Sequence, residues 1–145
     1  MKEKRMWWLD LGAPQWECVH FGGAGRGREF QDKARQAHLF VAQASLGGVE
    51  DERGLIARIA APLPFPATFV ATWDGLHDGL GDLRGMIGAP GLALVLTDCR
   101  PLWTRAPELC GMLMELWLSA AYRWSLDRSP TQTVPGRPFH LFIQW

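Results

Sequence analysis

The sequence has no net charge, few cysteines and no long apolar run. Its fifteen Lys and Arg residues balance fifteen Asp and Glu residues, so no overall field attracts nucleic acid or an acidic membrane. Its three cysteines form no CxxC pair, which argues against a disulfide framework or a zinc site. No apolar run approaches the ~20 residues that span a bilayer, and no secretory signal follows the basic start. These absences predict a soluble, cytoplasmic protein with reduced thiols.

Motifs of catalysis and cofactor binding are also missing. The glycine-rich GGAGRG at 22–27 fails as a dinucleotide fingerprint and as a phosphate-binding loop, because Arg28 and Glu29 stand where glycine, lysine or a hydroxyl residue is needed. We interpret it as a flexible surface turn. The sequence has no GxSxG and no cysteine with a readable histidine partner. We therefore expect no enzymatic activity, no catalytic residue, no metal and no cofactor.

The composition, with 48% hydrophobic and 21% charged residues, is that of a globular protein of about one domain. Continuous apolar runs indicate strands that are buried on both faces. We predict three such strands, at 38–46, 91–97 and 139–145. Helical patterns lie between them, at 49–60, 72–84 and 107–126. The order β-α-α-β-α-β predicts an α/β fold in which helices pack on a small, mostly parallel, three-stranded sheet.

The N-terminal segment and the segment before the last strand show a less regular pattern. We assign residues 1–37 to an N-terminal extension and residues 38–145 to the main domain. WWLDL and WECVHF in the extension are candidate strands and REFQDKARQA is a candidate short helix, so the extension is expected to add a strand or a helix. The proline-rich segment at 127–138 is predicted to be a loop that leads into the last strand.

The segment at 65–83, FPATFVATWDGLHDGLGDL, carries an unusual helical pattern. At about 100° per residue, its large apolar side chains fall on one side of a helix. Asp74, Asp78 and Asp82 fall on the opposite side, and no basic residue occurs in the range 59–83. Like charges four residues apart destabilise a helix by a few tenths of a kcal/mol. Helix stability therefore does not explain this arc.

Gly75, Gly79 and Gly81 lie in the same turns, and each costs about 1 kcal/mol relative to alanine. We interpret them as leaving the acidic arc free of neighbouring side chains. Two interpretations of the arc remain open. It is either the solvated outer face of an amphipathic helix, the default for charged residues, or an acidic ridge that enters a basic cleft of a partner.

The run FPATFVATWDGLHDGL resembles the signature of the barstar family, intracellular inhibitors of ribonucleases. The similarity extends over about residues 38–145, including the strand GLALVLT and the closing PFHLFIQ. It implies a barstar-like fold whose acidic helix and preceding loop plug the active site of a nuclease. The matched signature positions are Pro66, Phe69, Trp73, Asp74, Leu76, Asp78 and Leu80.

The resemblance implies a set of partner-binding residues and a kind of partner. The partner would be a basic secreted ribonuclease or nuclease toxin domain, with no direct contact to nucleic acid or membrane. Thr68 and His77 stand where the family's namesake has aromatic residues that touch its target, and Ser119 corresponds to a further acidic contact. The implied partner-binding residues are Asp74, Asp78, His77, Thr68 and Asp82.

This sequence also departs from the family signature. Val70 stands where the family prefers glycine, Thr72 where it prefers asparagine, and Gly79 replaces the motif cysteine. Thr72 still suits the N-cap position of the helix. The central acids are kept while their surroundings change, which favours an immunity protein against a different nuclease.

Two other interpretations stay open from the residues alone. The first is a binding module on the same fold that targets no nuclease, since fold does not fix function. Asp74, His77 and Asp78 have the spacing of metal ligands and suggest a metal-dependent phosphohydrolase, although no second set of ligands with matching spacing is readable. The eight tryptophans suggest stacking on nucleic acid, but Trp73, Trp117 and Trp124 fall on apolar helix stripes, which predicts a place in the core.

Overall fold

The computed structural model describes residues 11–12, 18–126 and 136–145. Its strands are β1 (Val19–Gly22), β2 (Phe40–Ser45), β3 (Leu92–Thr97) and β4 (Phe139–Gln144). Its helices are α1 (Ala24–Gln36), α2 (Glu52–Ala60), α3 (Trp73–Asp82), α4 (Arg100–Arg105) and α5 (Pro107–Ser125), with a 3₁₀ turn at Leu83–Gly85. WWLDL, apart from its last residue, and most of the proline-rich segment lie outside the described residues.

The sheet has four parallel strands in the order β1-β4-β3-β2. The prediction of three strands is therefore wrong in number, although all three predicted strands are present and the sheet is parallel. The fourth strand comes from the N-terminal extension, where β1 pairs with β4 in the register Val19↔Leu141. The extension adds a helix as well, since α1 follows β1 directly. The division of the chain at residue 37 stays a prediction.

Helices cover both faces of the sheet. Successive side chains of a strand point to opposite faces, and in β3 Leu94 belongs to one apolar cluster while Ala93 and Val95 belong to the other. The smaller cluster contains Phe30 and Ala34 of α1. The larger one contains buried residues of α2, α3, α4 and α5. Burial on both faces explains why β3 and β4 are continuous apolar runs rather than alternating ones. β2 is an edge strand with exposed Gln43 and Ser45, so the prediction of burial on both faces is wrong for the run at 38–46.

The glycine-rich run GGAGRG is a junction between β1 and α1, so its interpretation as a flexible surface turn is wrong. Gly22 ends the strand, and Gly23 is the N-cap residue of the helix. Gly27 is buried in the first turns of α1, where an added Cβ atom would lie 2.5 Å from Oε1 of Gln144. Glycine at this position lets α1 approach the end of β4 closely.

The sheet buries a pair of histidines beneath α1. His20 of β1 and His140 of β4 are each 1% exposed, and His20 Nε2 lies 3.1 Å from His140 Nδ1. His140 Nε2 lies 3.1 Å from the carbonyl oxygen of Leu11. A carbonyl only accepts, so His140 donates from Nε2 and accepts at Nδ1 from His20. Burial lowers the pKa of His20 to about 3, with repulsion from His140 adding to it, and lowers the pKa of His140 to about 4.

The three cysteines are buried and form no disulfide with one another. Burial raises the pKa of each thiol, to about 12 for Cys99 and about 11 for Cys110. Buried, protonated thiols are poor nucleophiles. None of the three therefore has the character of a catalytic cysteine.

Candidate functional site

The candidate site is built on α3, which begins at a side-chain cap. Thr72 is the N-cap residue, and its Oγ1 accepts a hydrogen bond of 3.0 Å from the backbone N–H of Gly75, as the sequence predicts. Asp74 lies in the first turn, where a carboxylate interacts favourably with the positive end of the helix dipole. The cap and the charge together fix where the helix starts relative to the loop before it.

One side of α3 is in the core and the other is in solvent. Leu76 and Leu80 are fully buried, and Trp124 of α5 donates a hydrogen bond of 2.9 Å from its indole N–H to the carbonyl of Leu80. On the outer side lies the acidic face, defined here as Asp74, Asp78 and Asp82. All three residues are exposed, with 81% of the Asp78 side chain accessible. The structure therefore brings the three predicted carboxylates together on one exposed surface.

The three glycines of α3 do not serve to leave the acidic face bare, so that interpretation is wrong. Each is instead a point of close approach by another part of the chain. An added Cβ atom would lie 2.1 Å from the carbonyl oxygen of Val70 at Gly75, and 2.9 Å from the ring of Phe65 at Gly79. At Gly81 it would lie 2.3 Å from Nη2 of Arg123. The glycines therefore hold α3 against the preceding loop and against α5.

The loop that precedes α3 is ordered by its own contacts. The rings of Phe65 and Phe69 are stacked with centroids 4.6 Å apart and an interplanar angle of 6°. The backbone N–H of Phe69 bonds to the carbonyl of Pro66 at 2.9 Å, which closes a turn with the exposed Thr68 inside it. Because this loop also packs on Gly75 and Gly79, the loop and the acidic face form one surface. We call the loop at 65–72 together with the acidic face the loop–helix surface.

His77 lies on the side of α3 that faces α5. Its Nε2 atom is 3.2 Å from Oγ of Ser119, and its Nδ1 atom is 3.4 Å from Nη1 of Arg123. Asp78 is a neighbour as well, with Oδ1 3.9 Å from His77 Nδ1. Both ring nitrogens are thus engaged within the protein, while 36% of the side chain remains accessible. Sequence reasoning missed Arg123, because nothing in the spacing of α5 relates it to Gly81.

A glycine substitution tests the close approach at the start of α3. Gly75→Ala is expected to destabilise the protein by roughly 1–3 kcal/mol, because the new methyl group collides with a backbone carbonyl that moves only with the loop. Gly111→Ala in α5 is the matched control, since no atom lies within 4 Å of its added Cβ. The control should gain up to about 1 kcal/mol from helix propensity.

Urea unfolding of both variants and the wild type, followed by circular dichroism, measures the two effects. Equal or greater stability of Gly75→Ala would show that the loop does not pack on the helix as described.

The interpretations as a metal site and as a stacking surface for nucleic acid gain no support from the site. Over residues 11–12, 18–126 and 136–145, no group of three or more His, Cys, Asp or Glu side chains is placed to hold a metal ion, although Asp74, His77 and Asp78 are close in sequence. Trp117 and Trp124 are buried, and Trp73 packs on the same core. In the same part of the chain, no helix is long and apolar enough to cross a membrane.

The described residues form a parallel α/β fold that presents an acidic helix and a packed loop at its surface. Residues 39–144 match the family model of barstar, described as the barnase inhibitor. This match covers more than half of the sequence, and the chain belongs to the barstar family. The resemblance read from the sequence is thereby confirmed, and the family is one of inhibitors rather than enzymes. β1 and α1 lie outside the matched residues.

Other comparisons add little. No match was found among curated protein sequences. Two similar solved structures are titled as the structure of Drosophila ORC bound to DNA and the structure of Drosophila ORC bound to AT-rich DNA and Cdc6. Both are 12% identical over 94% of this chain, covering 69% and 41% of their own chains, with TM-scores of 0.48 and 0.47. Likeness at this level carries no argument about fold or function.

Proposed function

We propose that the protein is an inhibitor of a nuclease and that its loop–helix surface plugs the basic cleft in which the nuclease holds RNA phosphates. The carboxylates of Asp74 and Asp78 take the place of phosphate groups in this cleft. Thr68, His77 and Asp82 contact its edges. The protein acts as an immunity protein, a cytoplasmic antidote to a secreted ribonuclease or nuclease toxin, and has no catalytic activity of its own.

The observation that supports this proposal is that close contacts with the rest of the protein hold the acidic face in place. Three exposed carboxylates on one helix repel each other, and the chain holds them on α3 through the close contacts at Gly75, Gly79 and Gly81. A preformed surface loses little conformational entropy on binding. Membership of a family described as a barnase inhibitor supports a nuclease as the partner.

The charge of the surface supports a partner with a basic binding cleft. Like-charged groups on one surface create a local field, and opposite charges on a partner are steered toward it. No lysine or arginine occurs from position 59 to 83, so loop and helix together carry a charge of −3 with histidine neutral. A cleft that binds RNA phosphates has the complementary charge.

The experiment is co-purification of the tagged protein from its native host, followed by an activity test of what is captured. We expect a basic nuclease domain to be retained at low salt, and its RNA cleavage to be inhibited when the two purified proteins are mixed at equal concentration. Capture of a partner without nuclease activity would instead favour a binding module on the same fold. If RNA cleavage continues in the purified complex, the proposal that the protein is an inhibitor is rejected.

A further inference from the structure

Arg123 occupies a notch in the side of α3. An added Cβ atom at Gly81 would lie 2.3 Å from Nη2 and 2.8 Å from Cζ of Arg123, so a side chain at this position would displace the guanidinium group. From this notch, Nη1 lies 3.4 Å from Nδ1 of His77 and 3.5 Å from the His77 carbonyl oxygen. A residue of α5 is thus aimed at one residue of the candidate site.

The hydrogen bonds to His77 decide which of its nitrogens carries the proton. Arginine has five donors and no acceptor, so Nδ1 of His77 accepts from Arg123 and carries no hydrogen. Nε2 then carries the hydrogen and donates it to Oγ of Ser119, 3.2 Å away. The distance of 3.9 Å from Nδ1 to Asp78 Oδ1 is too long for a hydrogen bond. The ring of His77 is therefore held between Arg123 and Ser119 with its hydrogen on Nε2.

Both ring nitrogens of His77 have contacts within the protein. The part of the ring that a partner can contact is therefore its face. About a third of the side chain is accessible, and the exposed carboxylate of Asp78 lies beside the ring. An aromatic face next to a carboxylate suits a guanidinium group, which stacks on aromatic faces and forms paired hydrogen bonds with carboxylates. An ammonium group is a compact, strongly hydrated charge that bonds the carboxylate but does not stack.

We propose that Arg123 is a positioning residue that holds the His77 ring with its hydrogen on Nε2, and that the ring face and Asp78 together receive an arginine of the partner. The inference rests on the proposed function, since the arginine belongs to the cleft of the nuclease. It assigns to His77 a stacking contact rather than a hydrogen bond. It also assigns to Arg123 a role in binding although Arg123 itself contacts the protein's own α3.

The first test uses the free protein and needs no partner. Long-range ¹H–¹⁵N NMR spectra of the imidazole rings report which nitrogen carries hydrogen, and we expect the Nε2–H form for His77. Arg123→Met removes the donors but keeps an aliphatic stem, and Gly81→Ala keeps the charge but displaces it. Both variants should give a mixture of the two tautomers. Gly111→Ala, a helix glycine in open space, should keep the wild-type spectrum.

An Nδ1–H ring in the wild type would overturn the positioning role, and so would an unchanged tautomer in both variants. This result does not depend on any nuclease. Urea unfolding of each variant separates a local change at His77 from a loss of the fold, because a structural role alone predicts lower stability with the same tautomer.

The second test measures binding to the captured nuclease. We expect His77→Ala to weaken binding about tenfold or more and His77→Phe, which keeps a flat ring, to stay within about threefold of the wild type. Replacing the arginine of the nuclease cleft that meets Asp78 by lysine should weaken binding about tenfold. Equal binding by His77→Ala and the wild type would overturn the guanidinium contact alone. A wild type that binds no nuclease would overturn the proposed function and the contact with it.

Discussion

Replacing Asp74 and Asp78 together by alanine is expected to abolish inhibition of the cognate nuclease at concentrations where the wild type inhibits fully. In a basic cleft, each carboxylate is removed from water and paired with Arg, Lys or protonated His. Truncating one leaves the partner's cation buried and unpaired, which costs roughly 2–5 kcal/mol. This range is that of buried charge pairs in protein complexes, the namesake pair of this family among them, and is applied by analogy.

Together, the Asp74→Ala and Asp78→Ala substitutions should reduce the affinity for the nuclease on the order of 10³-fold or more, because each 1.4 kcal/mol is a factor of about ten. Asp78 and Asp74 are neighbours on the helix, so their effects are not strictly additive. Asp82→Ala is expected to cost only about 0–1 kcal/mol, since Asp82 ends the helix and lies at the rim of the surface. Association of the wild type should slow as salt is added, because opposite charges steer the encounter.

The measurement is the inhibition constant of each variant against the captured nuclease, together with the association rate at two salt concentrations. Asp32→Ala is the matched control, because it removes an exposed carboxylate from α1, on the other face of the sheet. It changes the net charge as much as each single aspartate substitution does, and it should leave inhibition unchanged. Full inhibition by the Asp74→Ala/Asp78→Ala protein would reject the phosphate-mimic mechanism, whatever the fold.

Sequence patterns predicted the fold where the signal is local. The runs at 91–97 and 139–145 stand out because strands buried on both faces are apolar throughout, and β3 and β4 lie within them. The run at 38–46 contains β2, which is a strand as predicted but lies at the edge of the sheet with Gln43 and Ser45 exposed. The helices at 52–60, 73–82 and 107–125 were predicted to within a few residues by their apolar stripes. α4, with six residues, is too short to show such a stripe.

The fourth strand was harder to predict, because its signal is weak and its partner is distant. β1 has only four residues, VHFG, one of them buried. It pairs with β4 about 120 positions further along the chain, and no local pattern specifies such a pairing. The buried His20 also made the segment look less like a core strand, because histidine is not a typical core residue.

The candidate site was likewise predicted where the signal is local and missed where it depends on tertiary packing. The exposure of Asp74, Asp78 and Asp82 on one side of α3 follows from the helical period and is confirmed. The helical period did not show why glycine occurs at the three positions Gly75, Gly79 and Gly81. Their partners are a loop carbonyl, a phenylalanine ring and an arginine of α5, and all three contacts are set by tertiary packing. Whether these acids bind a partner stays a prediction.

The buried histidine pair predicts a marked loss of stability in mild acid. The folded-state pKa values of His20 and His140 lie at about 3 and about 4, below the ordinary value of 6.5. As pH falls below 6.5, the unfolded chain therefore binds two protons that the folded protein does not bind. Each histidine then costs about 1.4 kcal/mol of unfolding free energy per pH unit. This cost ends as pH falls through about 4 for His140 and through about 3 for His20, where the folded protein binds protons too.

Between pH 7 and pH 5 the two histidines together should lower the free energy of unfolding by roughly 4 kcal/mol. This is a large part of the 5–15 kcal/mol that holds a typical domain folded. Protonation is opposed in the folded state because both rings are buried against Phe30 of α1 and against each other. The loss should therefore appear first in the layer formed by β1 and α1, which closes over the pair.

Urea unfolding at several pH values between 7.5 and 5 measures this effect in the wild type and in His20→Phe/His140→Phe. The double variant keeps two flat rings of similar size but has nothing to protonate, so its stability should vary much less over this range. His38→Asn is the control, because His38 is exposed and has a positive φ of 61° that asparagine tolerates. It should show the wild-type pH dependence. If the double variant loses as much stability as the wild type between pH 7 and pH 5, the histidine pair is not the cause.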